Sequence, residues 1–181
     1  MLQAPDTSAM TADQIYRVHS GFVWRVARAR GIPTASIPDV LQEVFLTVLR
    51  RLPTYQEIGS LKGWIYTIAD GHIRQFFRSE GRRARRMTLF ARNVPDRDDG
   101  CGLDDHLTRT EATKLVQLFI DELPPESREL FLLRCVEGLS GVEVARLLSI
   151  NINTLYSREA AARRRFNAFV QQVQAREELA S

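Results

Sequence analysis

The stretch "GLSGVEVARLLSININTLYSREAAARRRF", Gly138 to Phe166, holds two apolar-periodic segments separated by a short polar turn, "SIN". Ser140 and Glu143 form an S-x-x-E capping box before the first segment, and Asn151 is a good N-cap for the second. This order of cap, short helix, turn and longer helix is typical of a helix-turn-helix, whose second helix enters the major groove of DNA. The stretch therefore predicts an all-α, DNA-binding fold.

The second helix of this motif has an apolar face and a polar face. At about 100° per residue, Ile152, Leu155, Ala162 and Phe166 fall together, and we expect them to face a core. The opposite face is small and polar near its start and basic further along, which suits entry into a groove. Its residues are Asn153, Ser157, Ala160, Ala161 and Arg164, with Thr154, Arg158 and Arg165 along one shoulder and Tyr156 and Arg163 along the other.

Glu159 is the exception, because it falls on the apolar side of this helix. An unpaired carboxylate would be costly there. Arg163 lies four residues later, with the acid on the favourable N-terminal side, so the sequence predicts an ion pair between the two. A contact between Glu159 and a partner protein is the alternative.

The N-terminal half also reads as helices. Apolar periodicity predicts a helix from Ala12 to Arg30, with His19 on its buried face. A second helix is predicted from Asp39 to Leu52, capped by Asp39 and with Leu49 on its buried face. A third is predicted to start near Ser60 and to continue into "GHIRQFFRSEGRRARR". In the second half, the predicted helices are Thr108–Glu122, Pro125–Glu137, Ser140–Leu148 and Ile152 to about Glu178.

A line of arginines lies within the third predicted helix and its frayed end. Arg74, Arg78, Arg82 and Arg85 recur at helical spacing, with Arg83 and Arg86 beside them. So dense a positive ridge repels itself unless a polyanion neutralises it, which favours nucleic acid; a solvated helix end is the plain alternative. Of the 25 basic residues all but Lys62 and Lys114 are arginine, the side chain suited to phosphates and base edges. A genome biased toward arginine codons is the alternative explanation for this excess.

Composition changes after Met87. Residues 91–107 hold Gly, Pro and a run of aspartates, which predicts a flexible acidic linker. We therefore expect two small helical domains, residues 10–90 and 108–181, on either side of it.

Other classes of protein are disfavoured by composition. The two cysteines and three histidines show no metal-ligand or disulfide spacing, so we expect no metal site and no cofactor. We see no catalytic constellation and expect no enzyme activity. The start lacks the pattern of a signal peptide and no apolar run approaches a membrane span, so we expect a cytoplasmic protein without membrane insertion.

These blocks together resemble the extracytoplasmic-function (ECF) sigma factors of bacterial RNA polymerase, the smallest members of the sigma-70 family. "DVLQEVFLTVLRRL" is similar to the polymerase-docking helix of their sigma-two domain, and "GSLKGWIYTIADGHIRQFFR" to the segment that meets the −10 promoter element. "LPPESRELFLLRCVEGLSGVEVARLLSININTLYSREAAARRRF" looks like their sigma-four domain, which meets the −35 element. The resemblance covers about Ile15 to Arg86 and Leu123 to Phe166. It departs at Gly71, Gln75 and Glu159, where the family often has Asn, Asp and an apolar residue.

The resemblance implies a role for each matched position. Three residues would bind the polymerase: Asp39, Gln42 and Glu43. Seven would contact the −10 element: Tyr55, Gln56, Ser60, Lys62, Arg74, Arg78 and Arg82. Seven would contact the −35 element: Asn153, Thr154, Ser157, Arg158, Arg163, Arg164 and Arg165. The loop from Tyr55 to Ser60 would capture a base flipped from the melting strand, and Trp64 is expected to pack in the core.

The implied partners are core RNA polymerase, through the clamp region of its β′ subunit and its β flap, promoter DNA, and an anti-sigma factor. An autonomous helix-turn-helix regulator that binds DNA as a dimer is the nearest alternative. A protein-interaction adaptor, whose arginines meet an acidic protein, is the alternative from another class. That adaptor would show no salt-sensitive binding to DNA.

Overall fold

The computed structural model describes residues 11–56, 59–87 and 111–180 and contains no strand within them. The all-α class expected from the sequence is confirmed. The chain divides into two compact units, one up to Asp105 and one from His106. The predicted acidic linker lies outside the described residues, as do the side chains of Arg83, Arg85 and Arg86.

Three helices build the first unit: α1 (Ala12–Ala29), α2 (Ile37–Arg51) and α3 (Leu61–Met87). Short 3₁₀ turns, Thr34–Ser36 and Leu52–Thr54, precede and follow α2. α1 begins at a complete capping box, in which the Thr11 hydroxyl accepts from the Gln14 N–H and the Gln14 amide oxygen accepts from the Thr11 N–H. Gly31, at a φ of +84°, turns the chain after α1, a conformation that favours glycine.

The core of this unit follows helical spacing on all three helices. α1 contributes Ile15, His19, Phe22 and Val26; α2 contributes Val40, Val44 and Val48; α3 contributes Ile65, Ala69 and Ile73. The buried faces predicted for these helices are thereby confirmed at most positions, because three- and four-residue spacing places side chains on one side of a helix.

Two expectations for α2 were wrong. The helix begins at Ile37 and not at Asp39, because Pro38 is tolerated in the first turn, where its missing N–H has no intrahelical partner. Asp39 therefore lies within the first turn and is not the cap. Leu49 was expected in the core but is 36% exposed, since the face that packs on α1 and α3 is narrower than the apolar pattern.

The second unit contains α4 (Glu111–Glu122), α5 (Pro125–Phe131), a π turn (Leu132–Val136), α6 (Gly141–Leu147) and α7 (Ile152–Ala180). The Arg128 guanidinium donates to the carbonyls of Asp121 and Leu123 and so ties the end of α4 to α5. The segment predicted as one helix from Pro125 widens at Leu132 into the π turn, a geometry found often at functional sites.

Aromatic rings fill the centre of the second unit. Phe119 on α4 packs against Phe131, Phe166 and Phe169, with ring centroids 5.0, 5.1 and 5.5 Å apart. Leu155 and Ala162 are buried as predicted, whereas Ile152 and Phe166 are half-buried. The apolar side of α7 thus packs on α4 and α5, and its other side is left outward.

Candidate nucleic-acid interface

α6 and α7 form the helix-turn-helix expected from the sequence. The Ser140 hydroxyl accepts from the Glu143 N–H at 3.2 Å and caps α6, and the Asn151 side chain accepts from the Asn153 N–H at 2.8 Å at the start of α7. Ser149 adopts a positive φ of 54° in the turn between them. Local capping thus defines where the second helix of the motif begins.

The outward side of α7 carries most of the residues predicted to read DNA. Asn153, Ser157, Arg164 and Arg165 are exposed, and Thr154 and Arg158 are half-buried. The Ser157 hydroxyl donates to the Thr154 carbonyl at 3.0 Å. The first two turns therefore present short polar side chains, and the guanidinium groups follow along the helix, an order that suits a groove-binding helix.

Glu159 is joined to two arginines by hydrogen bonds. Its side chain is only 9% exposed and accepts four hydrogen bonds from two guanidinium groups. Arg163, the partner predicted from the sequence, donates through Nε and Nη2 at 3.1 and 2.9 Å. Arg134 of the π turn, which sequence reasoning missed, donates through Nε and Nη2 at 3.0 and 3.1 Å. The first of the two interpretations, a partly exposed ion pair between Glu159 and Arg163 at the edge of the core, is confirmed, because the Arg163 side chain is 57% exposed.

The electrostatics of this cluster favour the ionised carboxylate. Burial by itself would raise the pKa of Glu159, but the hydrogen bonds from Arg134 and Arg163 outweigh burial and hold that pKa below its ordinary range. The carboxylate in turn raises the pKa of Arg163. Burial raises the pKa of the neighbouring Cys135 thiol, so this cysteine is held in its neutral form.

A similar cluster surrounds Asp70 on α3. Arg74, four residues later, donates to this carboxylate through Nε at 3.1 Å and Nη2 at 2.6 Å. Arg30, at the end of α1, donates to it at 3.0 Å. The Asp70 side chain is 14% exposed and that of Arg74 is 64% exposed, so the acid anchors an arginine that remains at the surface.

Two further arginines of the line lie on the exposed side of α3. Arg78 and Arg82 are exposed, and Phe77 beside them is an exposed large apolar side chain. Phe76 and Phe77 contact each other edge to face with centroids 5.6 Å apart. Arginine with aromatic rings on one surface is a combination that suits nucleic acid.

Three residues at or before the start of α3 contact other parts of the protein: Tyr55, Ser60 and Lys62. The Tyr55 ring contacts the half-buried Trp64 ring with centroids 4.8 Å apart. The Ser60 hydroxyl accepts from the Gly63 N–H at the start of α3, and Lys62 lies 5.7 Å from the centre of the Phe22 ring. Gln56 is exposed, and residues 57 and 58 of the predicted base-capturing loop lie outside the described residues.

Three polar residues predicted to bind a partner line the exposed side of α2. Asp39, Gln42 and Glu43 share this side, and Leu46 and Leu49 continue it at helical spacing. Leu46 is 46% exposed, and exposed leucines of this kind next to polar groups mark protein-binding surfaces. We call these five residues the α2 stripe.

Comparison with known protein families accounts for both units. The family model described as Sigma-70 region 2 matches residues 15–83, and that described as Sigma-70, region 4 matches residues 113–166. The two regions occur in order and together span about two thirds of the chain.

The chain belongs to the sigma-70 family.

Its curated relatives are ECF sigma factors, so the resemblance found in the sequence is confirmed. The chain is 31% identical over 155 residues to the ECF RNA polymerase sigma factor SigE of Mycolicibacterium smegmatis, covering 84% of this chain and 59% of that relative. It is 27% identical over 149 residues to the ECF RNA polymerase sigma-E factor of Escherichia coli, covering 79% and 78%. The chain thus spans less than two thirds of the length of the first of these relatives.

Solved structures share the fold of this sigma-70 family member. A sigma factor RpoE in complex with the anti-sigma factor NepR, from Bartonella quintana, matches with a TM-score of 0.62 and 19% identity, covering 88% of this chain and 96% of that one. CnrH in complex with the cytosolic domain of CnrY matches with a TM-score of 0.56 and 22% identity, covering 92% of each chain.

Two further features are absent from the described residues. None of their helices has both the length and the apolar character needed to cross a membrane. Within the same ranges, no group of three or more His, Cys, Asp or Glu side chains is placed to hold a metal ion.

Proposed function

We propose that this chain is a sigma factor that binds core RNA polymerase and directs promoter-specific initiation of transcription. It recognises the −10 and −35 promoter elements and aids DNA melting. The observation that carries this proposal is the presence of sigma-70 regions 2 and 4, in that order, in one chain. The polymerase makes the bonds of the RNA, and this chain acts by binding.

The α2 stripe is the proposed surface for the clamp region of the β′ subunit. Its acidic and amide side chains supply polar contacts, and Leu46 and Leu49 supply apolar area that would be buried on docking. The β flap is the proposed partner of the second unit. Docking through α2 leaves the exposed arginines of α3 available to DNA.

The first unit is proposed to bind the −10 element. Arg74, Arg78 and Arg82 lie toward the exposed side of α3 and suit the phosphate backbone. Tyr55, Gln56, Ser60 and Lys62 lie at or before the start of the same helix, where a base extruded from the duplex would be held. Extrusion costs a few kcal/mol, which base capture offsets.

α7 is proposed to read the −35 element. Asn153, Thr154, Ser157 and Arg158 form its first two turns and would contact base edges. Arg163, Arg164 and Arg165 lie two turns further along and would contact phosphates. An anti-sigma factor is a further proposed partner, because the RpoE structure compared above holds that sigma factor in complex with the anti-sigma factor NepR.

Run-off transcription tests the proposal directly. Purified core RNA polymerase is supplied with genomic promoter fragments, with and without this chain. New, specific transcripts are the expected result, and they also identify the promoter. If the chain neither co-elutes with polymerase nor yields transcripts, the sigma assignment fails and an autonomous regulator is favoured, which would then bind DNA tightly without polymerase.

Arg158→Ala separates the roles of the two units. Loss of one base contact costs about 1–3 kcal/mol, so we expect transcription from the identified promoter to fall about fivefold or more. Co-elution with polymerase should remain, because Arg158 lies outside the α2 stripe. Arg17→Ala, an exposed arginine of α1 outside every proposed contact, is the control. Lost polymerase binding in the Arg158 variant would contradict these roles.

A further inference from the structure

Glu159 joins two arginines that differ in their surroundings. The Arg134 side chain is 20% exposed, and the Arg163 side chain is 57% exposed. One carboxylate therefore holds an inner guanidinium and an outer one. The group of three carries one net positive charge, and the exposed partner, Arg163, presents that charge to solvent.

The inner arginine links separate parts of the helix-turn-helix unit. Arg134 comes from the π turn, donates to Glu159 of α7 through two nitrogens, and donates to the Leu139 carbonyl just before α6 through the third, at 2.5 Å. A planar guanidinium bound at all three nitrogens has little freedom. The direction of α7 relative to the segment before α6 is thereby held by polar contacts as well as by packing.

The outer arginine is held at one edge only. Arg163 donates to Glu159 through Nε and Nη2, which leaves Nη1 outside the ion pair. Arg164 and Arg165, the next two residues, are exposed. A guanidinium fixed at one edge has already lost much of its rotamer freedom, so less is lost when the other edge meets a ligand.

We propose that Glu159 is a positioning residue for promoter binding, which holds α7 through Arg134 and points Arg163 at a phosphate of the −35 region. The proposal rests on the function proposed above. It assigns Glu159 a role that an apolar residue could not perform, because an apolar side chain packs but does not orient a guanidinium. DNA supplies the anionic partner that completes the outer face of Arg163.

A double-mutant cycle in the assembled holoenzyme tests this role. The affinity for a fluorescent duplex carrying the promoter found by run-off transcription is measured over a range of salt concentrations. Glu159→Gln, Arg163→Ala and the double variant are compared with the unaltered chain. Arg17→Ala is the matched control, an exposed arginine also paired at i,i+4, and its promoter affinity should not change.

If Glu159 acts through Arg163, the effects overlap. We expect Arg163→Ala to weaken promoter binding about fivefold or more and to reduce the salt slope by about one. Glu159→Gln should weaken binding by a comparable factor, and the loss in the double variant should be smaller than the product of the two single losses, because coupled residues are not additive. Losses that multiply, or an unchanged salt slope for Arg163→Ala, would overturn the proposal.

Arg163→Lys keeps the test decisive if Glu159→Gln disturbs folding. Lysine preserves the charge but cannot use one edge for Glu159 and another for a phosphate. We expect weaker promoter binding with unchanged helical circular dichroism and unchanged polymerase binding. Promoter binding equal to that of the unaltered chain would overturn the proposal. An unaltered holoenzyme without promoter affinity would instead refute the proposed function and this inference with it.

Discussion

Two carboxylates, the buried Glu159 and the half-buried Asp70, each hold a pair of arginines. In both clusters one arginine lies four residues later on the same helix and the other comes from a distant part of the unit. Removing a partner from such a pair leaves a charge without compensation, whereas an exposed pair contributes little. We therefore expect the ion pairs of these two clusters to stabilise the fold more than exposed ion pairs do.

Arg134→Ala tests this distinction. We expect the second unit to lose about 3 kcal/mol of unfolding free energy, because Glu159 loses half of its hydrogen bonds and the Leu139 carbonyl loses its donor. Both tryptophans, Trp24 and Trp64, lie in the first unit, so tryptophan fluorescence reports that unit while helical circular dichroism reports both. The loss should appear in circular dichroism during denaturant titration.

Asp13→Asn is the comparison for Arg134→Ala, because the Asp13–Arg17 pair is largely exposed. We expect it to change the unfolding free energy by less than about 0.5 kcal/mol. Equal losses for the two variants would show that burial of the pair does not matter here.

Acid should weaken the Glu159 cluster. Because the hydrogen bonds from the two arginines depress the folded pKa below that of the unfolded chain, the stabilisation is complete above the ordinary glutamate pKa of about 4.3. It is lost as pH falls through the lower, folded pKa. The unfolding free energy can be measured on both sides of that range by denaturation followed by circular dichroism. It should fall with pH in the unaltered chain and should fall less in Glu159→Gln. Parallel declines would contradict this assignment.

At the scale of elements, Asp70 ties two helices of the first unit. Arg30 at the end of α1 reaches Asp70 on α3, and its side chain is mostly buried, whereas Arg74 is mostly exposed. The same carboxylate thus makes one structural contact between helices and one contact at the surface. Replacing these two arginines should therefore lower the unfolding free energy by different amounts.

Arg30→Ala should cost the first unit about 2 kcal/mol, less than for a fully isolated buried pair because Arg74 remains on Asp70. Arg74→Ala should cost less than about 1 kcal/mol, since solvent screens the exposed pair. Tryptophan fluorescence during denaturation measures both. Arg74→Ala should instead weaken promoter binding by the holoenzyme. A larger loss of stability in Arg74→Ala, or a larger loss of promoter binding in Arg30→Ala, would refute the assignment of one arginine to the fold and the other to DNA.

At the scale of the whole molecule, the proposed function depends on two small units that bind one DNA together. Each unit offers a modest set of contacts, so we expect the free chain to bind its promoter weakly. Docking on polymerase would fix both units and raise the effective concentration of the second for DNA once the first has bound. The gain requires no new contact between protein and DNA.

Affinity for the promoter duplex should therefore rise at least about 100-fold when core polymerase is added. Fluorescence anisotropy of a labelled duplex measures it with and without polymerase at one salt concentration. A scrambled duplex of the same length controls for binding by charge alone. Equal affinity with and without polymerase would favour an autonomous regulator.

Local patterns in the sequence determined the helices and the motif. The caps at Ser140 and Asn151 and the apolar spacing of α7 placed the helix-turn-helix correctly, because these signals act within three or four residues. The ion pair between Glu159 and Arg163 was predicted for the same reason. Family resemblance then assigned the two regions and the residues proposed to contact DNA.

Tertiary structure alone decided the long-range partners. Arg134 and Glu159 lie 25 residues apart, and Arg30 and Asp70 lie 40 apart, so no helical period connects them. One signal was present, because Arg134 interrupts an apolar run and a charge there requires a partner, but the partner could not be named. Likewise, Leu49 fits an apolar face by spacing yet lies at the surface. Which side chains meet depends on how helices pack against each other, and periodicity describes only one helix at a time.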